Sequence, residues 1–273
     1  VIVDCHTHLN RYLPEEPATL DERVARLHAA MDASGVAYSL VLSSYKVTDD
    51  RPSTADLVHR LAGDPRLGVV AGISFYDLSE EALEDLRGLC AGGSVRGLKL
   101  YPGYQAFHVH DQQLRGVYEI AAEFGLPVMI HMGDTYDKRG KLKYTHPLTV
   151  DEAAVDFPNV RFVICHMGNP WLMDAAEVIY KNENVSGDIS GFTLGEFEPR
   201  FEGLMIARMR DVIAYANGTA GLLYGTDWPI CDMGSYLRFV DRLELSEAEA
   251  EALLWKNAAE LFRLELPGVG DGG

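Results

Sequence analysis

Eight short apolar runs recur along the chain, and a longer amphipathic stretch follows each one. The runs are 1–5 (VIVDC), 36–42 (VAYSLVL), 67–75 (LGVVAGISF), 95–101 (VRGLKLY), 127–131 (PVMIH), 160–166 (VRFVICH), 185–190 (VSGDIS) and 220–226 (AGLLYGT). The stretches between them, 20–34, 54–63, 80–91, 112–125, 150–157, 171–181, 200–217 and 234–243, read as helices. Two further helices, about 247–254 and 255–264, close the chain. Strands that alternate with helices predict a parallel sheet with helical crossovers. Runs this apolar suit strands buried on both faces. Eight units in about 245 residues predict an α/β fold, a (β/α)8 TIM barrel with one or two extra C-terminal helices. The rival is a doubly wound open sheet, and no GxGxxG or P-loop follows any strand to favour its nucleotide-binding forms. No linker divides the chain. The expected organisation is one catalytic domain over 1–266, with a flexible tail at 267–273 (PGVGDGG).

Helix boundaries carry their own signals. Thr19 with Glu22, Thr149 with Glu152, and Ser246 with Glu249 read as capping boxes, and Ser53 with Asp56 as a weaker one. Ser79 and Asp111 read as N-caps. Gly35, Gly92, Gly218 and Gly125-Leu-Pro127 mark helix ends.

The 24 basic residues stand against 41 acidic ones, a formal charge of −17. Such a surface is repelled by phosphate backbones and anionic bilayers, which argues against nucleic-acid and membrane roles. No apolar run approaches the roughly 18 residues of a membrane span. No basic, apolar leader opens the chain. Cys5, Cys90, Cys165 and Cys231 match no zinc-ribbon spacing, and Cys5 and Cys165, inside apolar runs, read as buried free thiols of a reducing compartment. The expected location is cytoplasmic.

Polar residues fall where the strands end. His6 and His8 follow the first run, His131 ends the fifth, His166 the sixth and Asp227 the eighth. Alternation along a strand points His6 and His8 the same way and Cys5 the other, and sets Cys165 opposite His166. In a barrel the C-terminal strand ends converge on one mouth. A single histidine there is ordinarily a hydrogen-bonded core residue. Five polar groups in otherwise apolar runs are costly to bury without a common partner. Imidazoles plus a carboxylate suit a divalent transition metal, zinc foremost, with manganese or iron as alternatives.

The motifs DCHTH at 4–8, VMIHMG at 128–133, VICHMGNPW at 163–171 and YGTDWP at 224–229 resemble the amidohydrolase-related metal-dependent hydrolases of TIM-barrel fold. NVSGDISG at 184–191 is similar to that family's seventh strand, and WKNAAELFRL at 255–264 to its terminus. The resemblance implies His6, His8 and His131 as metal ligands. It implies Asp227 as a ligand or metal-linked proton acceptor. His166 would contact the metal-bound water or the reacting carbonyl. Lys99, in RGLKLYP, is a site candidate: binuclear relatives carry a carboxylated lysine there, while the mononuclear branch needs none. Its other reading is a lysine reaching solvent at the barrel rim.

The implied chemistry is hydrolysis of an amide, a lactone or an ester by metal-activated water, with Asp227 as general base and then acid. The family also contains non-oxidative decarboxylases of aromatic or unsaturated carboxylic acids, and the same residues serve both. A third reading is a non-catalytic small-molecule-binding barrel. The expected partner is a small-molecule substrate, and relatives often form homodimers.

Weaker signals surround this set. The loop 132–148 carries Lys138, Arg139, Lys141 and Lys143, a basic cluster suited to an anionic substrate or to plain solvation. Arg11 is a second cation near the expected mouth. Trp171 and Trp228 read as pocket walls or as seals of the barrel top. Tyr12, Tyr45, Tyr101, Tyr104 and Tyr136 fall in mouth loops. His108 and His110 read as loop plus N-cap, and His146 as a loop residue.

Overall fold

The computed structural model describes residues 1–266; the expected tail at 267–273 lies outside them. Eight parallel strands pair in sequence order: β1 (Val3–Thr7), β2 (Tyr38–Leu42), β3 (Leu67–Gly72), β4 (Val95–Leu100), β5 (Val128–Ile130), β6 (Phe162–Ile164), β7 (Val185–Asp188) and β8 (Leu222–Leu223). The first and last strands meet. Cys5 donates its N–H to Tyr224 O at 3.0 Å, His8 to Trp228 O at 2.7 Å, and Asp227 to His6 O at 2.7 Å. Thr7 and Trp228 form a parallel bridge. The fold is therefore a (β/α)8 TIM barrel.

The helices are α1 (Leu20–Ser34), α2 (Thr54–Leu61), α3 (Glu80–Ala91), α4 (Arg115–Phe124), α5 (Leu148–Asp156), α6 (Leu172–Lys181), α7 (Pro199–Tyr215), α8 (Met233–Asp241), α9 (Glu247–Glu251) and α10 (Asn257–Phe262). A π-helical turn, Ala252–Lys256, makes the two closing helices one continuous rod. Among the described residues no helix is long and apolar enough to cross a membrane.

Thr19, Ser53 and Ser246 form capping boxes with Glu22, Asp56 and Glu249, so the Ser53 pair is complete rather than weaker. Ser79 caps α3. Thr149 does not cap α5. Pro147 precedes the first helical residue and its fixed φ starts the helix early, so Thr149 lies inside the first turn and donates to His146 O. Asp111 makes no helix-capping bond; it accepts His108 N–H instead, ahead of a short 3-10 turn at Gln112–Leu114. Helix α7 stops at Tyr215, short of Gly218.

Two apolar layers follow from strand alternation. Leu98 and Leu100, Val128 and Ile130, and Phe162 and Ile164 face the helices. Val3, Cys5, Leu40, Leu42, Met129, Val163, Cys165 and Leu223 fill the barrel interior, where Ala258, Leu261 and Phe262 of α10 join them.

Candidate metal centre and active site

Period-two alternation decides which side chains reach the axis. On β4, Lys99 lies between the outward Leu98 and Leu100. On β5, His131 lies two residues beyond the inward Met129, and on β6 Cys165 lies two beyond Val163. On β1 the alternation breaks. Val3 pairs with Tyr38 and Asp4 with Ser39, but Thr7 pairs with Val41, so three steps on β1 oppose two on β2. A bulge of this kind inserts one residue. It lets Cys5 stay inside with Val3 while His6 and His8 also turn inward. The expectation that Cys5 faces away from the histidines is thus corrected. Cys165 is corrected likewise: it continues the interior row of β6. His166 reaches the same space through a left-handed turn at φ 59°, followed by Met167 at φ 46°. Asp227 is also left-handed, at φ 71°. Such conformations cost non-glycine residues of order 1–3 kcal/mol each and gather at functional sites.

His6 and His8 are held from behind. His6 Nδ1 is 2.9 Å from Asp188 Oδ2, and His8 Nδ1 is 2.9 Å from Leu42 O. Both partners only accept, which assigns the protons to Nδ1 and leaves each Nε2 with a bare lone pair. His8 Nε2 lies 3.1 Å and His6 Nε2 3.7 Å from Asp227 Oδ1. That oxygen is buried and makes no hydrogen bond among the described residues. Two lone pairs and a carboxylate oxygen converge with no proton between them, an arrangement that suits a cation. The ligand atoms of His6, His8 and Asp227 all lie within 4.8 Å of one another. His–acceptor pairs behind the ligands are the usual support of such sites.

Electrostatics agree with this. Burial would raise the Asp227 carboxyl, but the His8 contact and the charges of His6, His8 and His166 hold it down at about 2. Burial, helped by Lys99, lowers His6 to about 4 against the pull of Asp188. Burial also lowers His166, and with His166 and Lys99 it drives His131 well below its ordinary value. Asp188 is deeply buried, yet His6, His166 and Lys99 overcome that burial and keep it ionised.

Sequence reasoning missed Asp188 as a site residue. Its Oδ1 accepts His166 N–H (2.9 Å), Ser190 N–H (3.1 Å) and the Ser190 hydroxyl. The available signal was an aspartate at a C-terminal strand end, as for Asp227.

The other expected residues divide. Lys99 is only 1% exposed and so does not reach solvent at the rim; its Nζ lies 2.7 Å from Cys165 Sγ. His131 shares the mouth, with ring centroids 5.0 Å from His166 and 4.7 Å from Tyr104. Its Nε2 is 2.9 Å from Asp134 O, which leaves the ring outside the tight His6–His8–Asp227 group. Arg11 bonds Pro14 O, Glu16 O and Asp50 rather than the cavity. Arg139 is 91% exposed and paired with Asp137 at 2.8 Å. Lys138, Lys141 and Lys143 are exposed as well. Trp228 is buried against Val24 and Leu27 under the Arg26 guanidinium, and so seals the top. Trp171 packs on His146, away from the cavity.

Over the cluster lies a cavity of about 130 Å³. A neighbouring lobe of about 320 Å³ shares Tyr104, His131, His166 and Asp227 with it. The five mouth tyrosines, Tyr12, Tyr45, Tyr101, Tyr104 and Tyr136, all line the first space. Besides Lys99 at the floor, Arg51 lines this space, a cation that sequence reasoning also missed. Its Nη1 donates to Ser44 Oγ at 3.2 Å, and its guanidinium sits 5.9 Å from the Tyr12 ring centroid.

The model of the family described as Amidohydrolase matches residues 3–264. The chain belongs to the amidohydrolase family. It superposes on an uncharacterised TIM-barrel protein from Bordetella bronchiseptica with a TM-score of 0.75, at 22% identity over 96% of this chain and 98% of that one. It superposes on 5-carboxyvanillate decarboxylase from Sphingomonas paucimobilis with a TM-score of 0.72, at 14% identity over 97% and 99%. For a probable 2-pyrone-4,6-dicarboxylic acid hydrolase from Acinetobacter baumannii, with citric acid bound, the values are 0.68 and 15% over 96% and 99%. At these identities the likeness is one of fold. No curated protein sequence matches the chain. The family is metal-dependent, and the His/Asp cluster is of the kind that holds a divalent ion.

Proposed function

We propose that the protein is a metal-dependent hydrolase that directs water at an amide, lactone or ester carbonyl of a small anionic substrate. The convergence of His6 Nε2, His8 Nε2 and the unpartnered Asp227 Oδ1 at the cavity floor carries the reading. These three would hold a divalent transition metal, with His131 as a further donor from β5. Nitrogen and oxygen donors favour zinc and accommodate manganese or iron. Such an ion, when bound, lowers the pKa of a coordinated water and polarises a carbonyl.

The chain's own groups supply the rest. Asp227 accepts the proton of the attacking water and passes it to the leaving group. His166, whose Nδ1 donates to Ser190 O at 3.1 Å, turns a bare Nε2 lone pair to the cavity, where it accepts a hydrogen bond from the attacking water and orients it. Arg51 pairs with the substrate's carboxylate, and the tyrosines form apolar walls with hydroxyl donors.

One observation favours a second reading. A cavity lined by five tyrosines and one guanidinium suits a flat aromatic acid, the substrate of a non-oxidative decarboxylase. One of the superposed structures is a decarboxylase of such an acid.

The metal-loaded protein is therefore assayed against lactones, amides and esters bearing a carboxylate, and against aromatic and unsaturated carboxylic acids. Ring opening or acyl cleavage without CO2 release supports hydrolysis. CO2 release moves the assignment to the decarboxylase. Tight binding without turnover moves it to a binding barrel. Arg51→Met raises KM roughly 10- to 100-fold for the substrate that turns over, the worth of a charged hydrogen bond. An unchanged KM removes Arg51 from substrate binding.

A further inference from the structure

Lys99 and Cys165 meet inside the barrel, beside His6 but outside the chemistry assigned above. Both side chains are essentially inaccessible. Lys99 Nζ lies 2.7 Å from Cys165 Sγ, and this is the lysine's sole hydrogen bond among the described residues. That separation is ordinary for N–H···O and close for sulfur, a larger atom. It is also too long for a direct bond, since even two sulfurs bond at about 2.05 Å. Nitrogen and sulfur at this distance are near enough for a single oxygen atom to bridge them. None of the other cysteines bonds an amine among the described residues; Cys231 contacts Thr193 O. Buried thiols without such a neighbour are ordinarily inert. Lys99 lines the cavity floor and Cys165 lies directly behind it, so an oxidant entering the mouth reaches the sulfur only past the amine.

We propose that peroxide joins Lys99 and Cys165 through an oxygen-bridged, thiol-reversible N–O–S crosslink. In the first step Cys165 sulfur attacks a peroxide oxygen. The S–O bond forms, the O–O bond breaks, and the thiol proton passes through Nζ to the leaving hydroxide, which departs as water. The product is the Cys165 sulfenic acid. In the second step the sulfenic oxygen bonds to Nζ. The S–O–H and one N–H each give up a proton, the electron pair reduces a second peroxide, and two waters leave. Two peroxides are consumed in all, and sulfur and nitrogen are oxidised by two electrons each. The bridge removes a basic amine from beneath His6 and ties β4 to β6. Its formation does not depend on which reaction the site catalyses.

The reduced, full-length protein is exposed to hydrogen peroxide and followed by intact mass and peptide mapping. The expected product gains one oxygen and loses two hydrogens, and trypsin no longer cuts after Lys99. Its linked peptide contains Lys99 and Cys165, and dithiothreitol restores the starting mass. Lys99→Met and Cys165→Ser each abolish the linked peptide. If either variant fails to fold, the wild-type map decides alone. A direct N–S link, a Cys5–Cys165 disulfide, a Cys165 sulfinic acid with free Lys99, or an unmodified Cys165 would each overturn the proposal.

Discussion

Asp188 serves several donors at once: His6 Nδ1 at one oxygen, and two backbone N–H groups and a hydroxyl at the other. It fixes the tautomer of His6 and anchors the turn that carries His166. An asparagine has one acceptor oxygen and must aim its NH2 at a donor. Asp188→Asn is therefore predicted to weaken metal binding roughly 10- to 100-fold, the usual cost of losing such a supporting partner. Competition with a chelator measures this. Wild-type affinity in the variant would show that Asp188 does not orient His6.

At this scale much of the site is readable before folding. His6, His8, His131, His166 and Asp227 stand out because each interrupts an apolar run at a strand end. Asp188 sits among Ser and Gly, which reads as a strand running out into a turn. Arg51 sits between an aspartate and a proline, which reads as a solvated loop. The directions of Cys5 and Cys165 depend on a bulge and a left-handed turn, and neither leaves a composition signature.

At the scale of elements, α10 carries a role that its sequence states only in part. Leu261 and Phe262 project from the last turn into the barrel interior, and the Cβ that Gly97 lacks would stand 3.3 Å from the Phe262 ring. Asn257 Nδ2 ties the same helix to Thr219 O and Leu222 O at 2.8 and 2.7 Å. Phe262→Ala is predicted to cost about 3–5 kcal/mol, because the barrel wall cannot collapse into the space. Denaturant unfolding measures it. A loss below about 1 kcal/mol would mean that α10 is not part of the core. The apolar period of 255–264 marks a helix, but nothing in it says where the helix docks. Boundaries show the same limit: the hydroxyl of Thr149 fits a capping box, yet Pro147 had already set the start.

At the scale of the molecule, the count of eight alternating units predicts a parallel sheet of barrel size, but whether that sheet closes or stays open is decided by the bonds between its first and last strands. The closing bonds, from Cys5 to Tyr224 and from Asp227 to His6, join residues over two hundred positions apart. No local pattern contains them. They also bring Asp227 to the two histidines of β1, so the same closure completes barrel and site. The net charge of −17 describes the whole surface. The cations facing the cavity are Arg51 and Lys99, while the basic loop lies exposed to solvent.

The central claim is that His6, His8 and Asp227 hold a catalytic divalent metal. Metal analysis of the purified protein, joined to thermal unfolding with added zinc or manganese, tests it most directly. The prediction is about one transition metal per chain, and roughly 2.7 kcal/mol of stabilisation when free metal reaches 100 times its Kd. Both effects should vanish in the His6→Ala, His8→Ala double variant. A metal-free wild type whose melting temperature ignores both ions would contradict the account.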